Sequence, residues 1–102
     1  MNIKLNFEER MIILSILPKE GSIITIRLIR ELISKLATSA KEIEEFGIQK
    51  KEEGVVFNEK ARVPIEFEFN EVEIELVRGS LKELDSKKQL VAEMISVWEK
   101  FC

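Results

Sequence analysis

The sequence predicts an α+β fold, mostly helical, with five helices and one β-hairpin in the order ααα-ββ-αα. Three observations carry this. Apolar residues recur at helical spacing on both sides of the middle of the chain: Leu28, Ile29, Leu32, Ile33 and Leu36 before it, and Leu90, Val91, Met94, Ile95, Trp98 and Phe101 after it. Between them the period changes to alternation, with Val63, Ile65, Phe67 and Phe69 on one face and Glu66 and Glu68 on the other. Finally, Asn6, Ser39 and Asn70 are each followed three residues later by Glu, a capping-box pattern that marks a helix start.

In chain order, Ile3-Lys4-Leu5 alternates and reads either as a short strand or as an arm. Asn6 caps a first helix over Phe7 to Leu17, so apolar that burial is expected on most sides; Pro18 ends it by pushing Leu17 out of helical geometry. The second helix lies in Gly21 to Ala37, with Thr25 preferred over Ser22 as its cap, because a cap position keeps the threonine hydroxyl out of the apolar face. Its apolar face, widened by Ile26, fills about half the helical wheel, which places this helix in the middle of the domain. A third, short helix runs from Ala40 to Phe46, with Ile43 and Phe46 inward and Gly47 as terminator.

The hairpin pairs Ile48 to Phe57, broken by Gly54, with Arg62 to Phe69 across Asn58-Glu59-Lys60-Ala61. Pro64 lacks an amide donor and marks an edge or a kink. A fourth helix follows from Glu71 to Leu84, with Val72, Leu76, Val77, Leu81 and Leu84 inward and small Gly79 and Ser80 open to close approach by another helix. A rival reading continues the strand through Val72, Ile74 and Leu76; the Asn70 cap favours helix. The fifth helix spans Lys87 to Phe101 after a turn at Asp85-Ser86. Neither an internal repeat nor a linker is read, and residues 1–102 form a single domain.

The composition, 45% apolar and 34% charged, is that of a folded soluble protein. A net charge of −3 with scattered basic residues argues against a concentrated nucleic-acid-binding face. The single cysteine, Cys102, allows no disulfide within the chain and suits a reducing compartment. No targeting segment is read before Phe7, and no apolar run approaches the ~20 residues that span a bilayer. Histidine is absent, which removes the commonest general base and metal ligand. With no nucleophile elbow, phosphate loop or metal motif either, the chain reads as no enzyme, with no cofactor and no metal.

Two groups of side chains could touch a ligand or partner. Arg27, Arg30 and Lys35 lie on the polar side of the second helix, where two arginines three apart can grip a phosphate or carboxylate; the bland alternative is a solvated face with a Glu31–Lys35 pair. Trp98 and Phe101 near the end of the chain could anchor an interface, or simply belong to the core. Glu66, Glu68, Glu71, Glu73 and Glu75 form an acidic stretch, read as a solvated face more readily than as a cation site.

The run Leu14-Ser15-Ile16-Leu17-Pro18-Lys19-Glu20-Gly21-Ser22, followed by Thr25-Ile26-Arg27, Arg30-Glu31-Leu32, Ser39-Ala40-Lys41-Glu42-Ile43 and Trp98-Glu99-Lys100-Phe101, resembles a family of small tailed-phage and prophage proteins of unknown function. The strand-like stretch from Glu71 to Arg78 departs from its helical pattern. The resemblance implies a viral protein in the host cytoplasm and carries over no functional residue. It leads to the expectation of a non-enzymatic interaction protein and homo-oligomer that inhibits a host defence system, by binding a host protein or sequestering a small signalling nucleotide. The alternatives are a winged-helix-like DNA-binding regulator, with the third helix in the major groove, and a virion assembly accessory protein. No membrane partner is expected.

Overall fold

The computed structural model describes residues 1–52 and 54–102. All five expected helices form: α1 (Phe7–Ile16), α2 (Ile23–Leu36), α3 (Ala40–Glu45), α4 (Glu71–Ser86) and α5 (Ile95–Phe101). Four short strands accompany them: β1 (Asn2–Leu5), β2 (Gln49–Lys51), β3 (Gly54–Val56) and β4 (Ile65–Glu68). The capping boxes at Asn6, Ser39 and Asn70 are each made in both directions, side chain to backbone and back. The class is therefore α+β with the helices in the expected order, while the strand pairing differs from the one hairpin read in the sequence.

The difference is a change of partners. The expected first strand, Ile48 to Phe57, folds back on itself, with Lys51 opposite Gly54 and Gln49 opposite Val56. Gly54 has φ +131°, a conformation that suits glycine and reverses the chain inside the stretch read as one strand; Glu53, in the same stretch, lies outside the described residues. Released from that pairing, β4 runs antiparallel to β1, with Ile3 opposite Phe67 and Leu5 opposite Ile65. The N-terminal alternation is thus a strand and supplies the apolar partner that β4 needs.

Pairing β1 with β4 exposes a repeat, contrary to the expectation of none, carried by identities as sparse as Asn6/Asn70 and Glu9/Glu73. Each strand leads through an asparagine cap into a helix, α1 or α4, and later a second helix, α2 or α5, packs back on that first one. At one constant spacing, buried Leu5 matches Phe69, Glu9 matches Glu73, Ile13 matches Val77 and Leu17 matches Leu81. Ile3 lies opposite its own match, Phe67, so an approximate two-fold axis passes between them. After a shift of one residue, buried Leu32 and Leu36 match Val97 and Phe101. The buried apolar side chains of these matches, with Ile29 and Ile74, form the main core.

At its centre lies α1, not α2: α1 touches α2, α4, α5 and β1. The half-wheel apolar face of α2 does not translate into burial on all sides. Only Ile29, Leu32 and Leu36 are buried, a stripe three and four apart, while Ile33 is 45% exposed. Ser22, not Thr25, caps α2; the Thr25 hydroxyl lies 3.1 Å from that of Ser22, so it never enters the core, and Ile23 and Ile24 stand in solvent. In α4, Ile74 is buried in place of the expected Val72, which is exposed, and no atom of the described residues lies within 4 Å of where a Cβ on Gly79 would stand, so the expected close approach of a helix is not made there. The fifth helix is shorter than read: α4 continues through Ser86, Lys88 takes φ +57°, and a 3₁₀ turn at Ala92–Met94 precedes α5. Val91 and Ile95 are accordingly exposed, and Val97 replaces them in the core.

The segment between the two units, α3 to β3 with a 3₁₀ turn at Glu59–Arg62, has a small core of its own against the start of α1. Phe7 sits 5.3 Å from Phe57 and 6.5 Å from Phe46 between ring centroids. Phe46 is inward as expected, whereas Ile43 is exposed. Gly47, at φ +61°, ends α3, and Asn58 closes the segment by donating to the Glu45 carbonyl at 2.9 Å.

Candidate functional site

The residues singled out in the sequence separate into three places. Arg27 and Arg30 are exposed on α2 and line a shallow depression with Glu31 and Ser34. Among the described residues neither guanidinium has an ion-pair partner. Lys35 does not join them, nor does it pair with Glu31. It turns to the other unit, where its ammonium donates to both carboxylate oxygens of Glu73, at 2.8 and 2.9 Å, and to the Glu68 carbonyl at 2.8 Å. It also lies 5.3 Å from the centroid of the Phe69 ring. Lys35 is thus an internal fastening of the fold.

Phe101 and Trp98 separate as well. Phe101 is 1% exposed and meets Phe69 edge to face at 5.4 Å, so its ring belongs to the core and is absent from the surface. Trp98 is half-buried and forms, with Leu90, Val91, Met94 and Ile95, the apolar lining of a trough of about 350 Å³ between the end of α4 and α5. The two charged residues on this trough, Asp85 and Glu99, are both acids.

Of the acidic stretch, Glu73 is buried and paired, while Glu66, Glu68, Glu71 and Glu75 are exposed. Glu71 and Glu75 border a wide depression of about 950 Å³ together with Arg78. Among the described residues no three acids, histidines or cysteines gather where they could hold a metal ion. Among the described residues no helix is long and apolar enough to cross a membrane.

The most buried polar group was missed by the sequence reading. Arg10, 1% exposed, donates from Nε to the Leu36 carbonyl at 2.9 Å and from Nη2 to the Ala37 carbonyl at 3.0 Å. Its guanidinium also forks onto Glu42 at 2.9 and 3.3 Å and lies 5.1 Å from the Phe67 ring centroid. It ties the end of α2 and the start of α3 to α1. The signal was available: Arg10 stands three residues from both Phe7 and Ile13, on the buried side of α1. The Arg10 hydrogen bond to Glu42, partly opposed by burial and reinforced by Ser39, holds that carboxyl below the usual 4.5.

A second hidden ion pair joins Lys100 of α5 to Glu9 of α1 at 2.7 Å, and the same ammonium donates to the Lys4 carbonyl at 2.7 Å. Burial pushes the Glu9 carboxyl up, but Lys100, the Asn6 amide and the nearby Ser96 hydroxyl outweigh it and leave it below 4.5. These charged groups fasten the fold and do not converge on a cleft. Of the side chains singled out in the sequence, Trp98 in the α4–α5 trough and the arginine pair of α2 are the ones left open to a partner. No protein-family model, curated protein or solved structure matches the chain.

Proposed function

We propose that this chain is a non-enzymatic interaction protein of the phage type, which inhibits a host defence system by occupying a surface of a host protein. The observation that supports this most is the α4–α5 trough. Val91 and Ile95 are 49% and 58% exposed beside Trp98 and Met94, an apolar group of the kind that marks binding surfaces. Tryptophan supplies anchors in such surfaces, and methionine adapts to varied partners. Calorimetry with purified host defence complexes is the test. A saturating complex with one of them is expected, and heat-silent mixing with all of them would remove the reading. A signalling nucleotide in place of a protein would engage the unpaired Arg27 and Arg30, and would then be lost on Arg27→Ala.

A second reading, a DNA-binding regulator, is favoured by one feature: three helices lead directly into the tight β2–β3 hairpin, which carries exposed Lys50 and Lys51 as a wing would. Against it, α3 presents exposed Glu44 and Glu45 where a recognition helix would meet phosphates. The outer face of the β1–β4 ribbon also carries Glu66 and Glu68 beside Asn2 and Lys4. Salt-sensitive retention on duplex DNA would raise this reading above the first. Native mass spectrometry decides the homo-oligomer, and detection in purified particles decides a virion role.

A further inference from the structure

We infer that the α4–α5 trough receives a basic amphipathic helix of the partner, its apolar stripe on Trp98 and its cationic flanks against Asp85 and Glu99. This rests on the interaction-protein reading above and gives it a site and a partner chemistry.

The approximate two-fold locates the trough. In the first unit, α2 runs for 14 residues and packs on α1, with Ile29, Leu32 and Leu36 buried. In the second unit, the matching helix α5 has 7 residues. The stretch that corresponds to the first turns of α2 is instead a left-handed Lys88, an extended Val91 and a 3₁₀ turn. Where one unit has a helix, the other has an irregular stretch whose own Leu90, Val91 and Met94 line the trough together with Ile95 and Trp98 of α5. A helical segment from outside would cover these apolar side chains in the helix-in-groove manner, with anchors three and four residues apart.

The charges choose the flanks. Asp85 stands on one side, at the end of α4, and Glu99 on the other, on α5. Neither has an ion-pair partner among the described residues. Lys87 and Lys100, beside them in sequence, are engaged elsewhere, with Glu83 at 3.0 Å and with Glu9 at 2.7 Å, and Lys82 and Lys88 do not line the trough. A second copy of this chain carries one such stripe of its own, exposed Ile23 and Ile24 at the start of α2 beside Arg27 and Arg30, and self-association abolished by Ile95→Glu distinguishes it from an outside partner. A Lys- or Arg-flanked stripe gains attraction on both sides of the trough, whereas an acidic one is repelled twice.

The test uses the full chain and two labelled helical peptides with the same Leu stripe, one flanked by Lys and one by Glu, followed by anisotropy and by Trp98 emission. The Lys-flanked peptide is expected to bind, with blue-shifted tryptophan emission, at least about tenfold more tightly than the Glu-flanked one. Ile95→Glu, at an exposed position that leaves the core intact, is expected to weaken it by about tenfold or more, and D85K/E99K to reverse the preference for flanks. Equal binding of both peptides, binding that survives Ile95→Glu, no binding of either, or a dimer of this chain that Ile95→Glu dissolves would each overturn the inference. A failure here with a complex still seen by calorimetry moves the partner to another face; failure of calorimetry alone removes the function and leaves the peptide result standing.

Discussion

Glu9 and Glu73 occupy matching corners of the molecule, and the two corners are fastened to different degrees. Each glutamate closes a capping box at the start of a helix, is buried, and meets a lysine from the other unit that also reaches the last part of the preceding strand. At Glu73, Lys35 grips both carboxylate oxygens. At Glu9, Lys100 reaches Oε1 alone, and Oε2 is buried with no hydrogen bond formed among the described residues, the Ser96 hydroxyl lying near the carboxylate without bonding to it. The helix that delivers each lysine differs in the same sense, α2 being twice the length of α5. A helix held by fewer bonds and less buried surface opens at lower free energy. The looser corner is also the one that carries the trough, so the surface best placed to adapt to a partner is attached to the less tightly held element. In hydrogen exchange, the amides of α5 are therefore expected to exchange before those of α2.

The strongest way to break the comparison is to remove the arginines that pin the two second helices. Arg10→Ala leaves two helix-end carbonyls and Glu42 without their donor inside the protein, and is expected to cost about 3–5 kcal/mol by urea unfolding. Arg78, one turn further along its helix than the position matching Arg10, donates to the corresponding Phe101 carbonyl from a half-buried position and should cost about 1 kcal/mol when truncated. Equal losses would show that the two units are fastened alike.

The corners themselves come next. Lys35→Met is expected to cost about 3 kcal/mol and Lys100→Met about 2 kcal/mol, because each strands a buried carboxylate and the first breaks one more hydrogen bond. A larger effect at Lys100 would reverse the order drawn above.

Acid sharpens the same contrast. Glu9 and Glu42 both have folded values below 4.5, so the native state binds fewer protons than the unfolded chain as pH falls. Their contribution to stability is complete above 4.5 and is lost as pH drops through the lowered folded values. Glu9→Gln should flatten this loss in a series of melting curves below pH 4.5, with Glu42→Gln removing the remainder of the pair's share. An unchanged acid slope in both variants would mean that other carboxylates set it. The smallest effect expected is a gain: Gly79→Ala, in the exposed middle of α4 with no atom near the added Cβ, should stabilise by about 0.5–1 kcal/mol.

Much of this could be read before any coordinates. The asparagine and serine caps named the starts of α1, α3 and α4, because capping is a matter of four consecutive residues and needs nothing from the rest of the chain. The surface side chains were less legible. Lys35 and Phe101 looked available because their spacing says which side of a helix they take, but not whether a neighbour comes to meet them. Trp98 could be read as either core or interface, and it turned out to edge an open trough.

The sequence by itself determined the number and order of helices, the caps of α1, α3 and α4, and the alternation of β4, all of them properties of local backbone geometry and periodicity. Tertiary structure alone decided that β4 pairs with β1, that α1 rather than α2 lies at the centre, and that lysines of one unit lock glutamates of the other. Those choices join residues far apart in the chain, where several partners of similar polarity compete. The winner is set by which arrangement leaves fewest buried charges and carbonyls unpaired, a property of the whole assembly and of no single stretch.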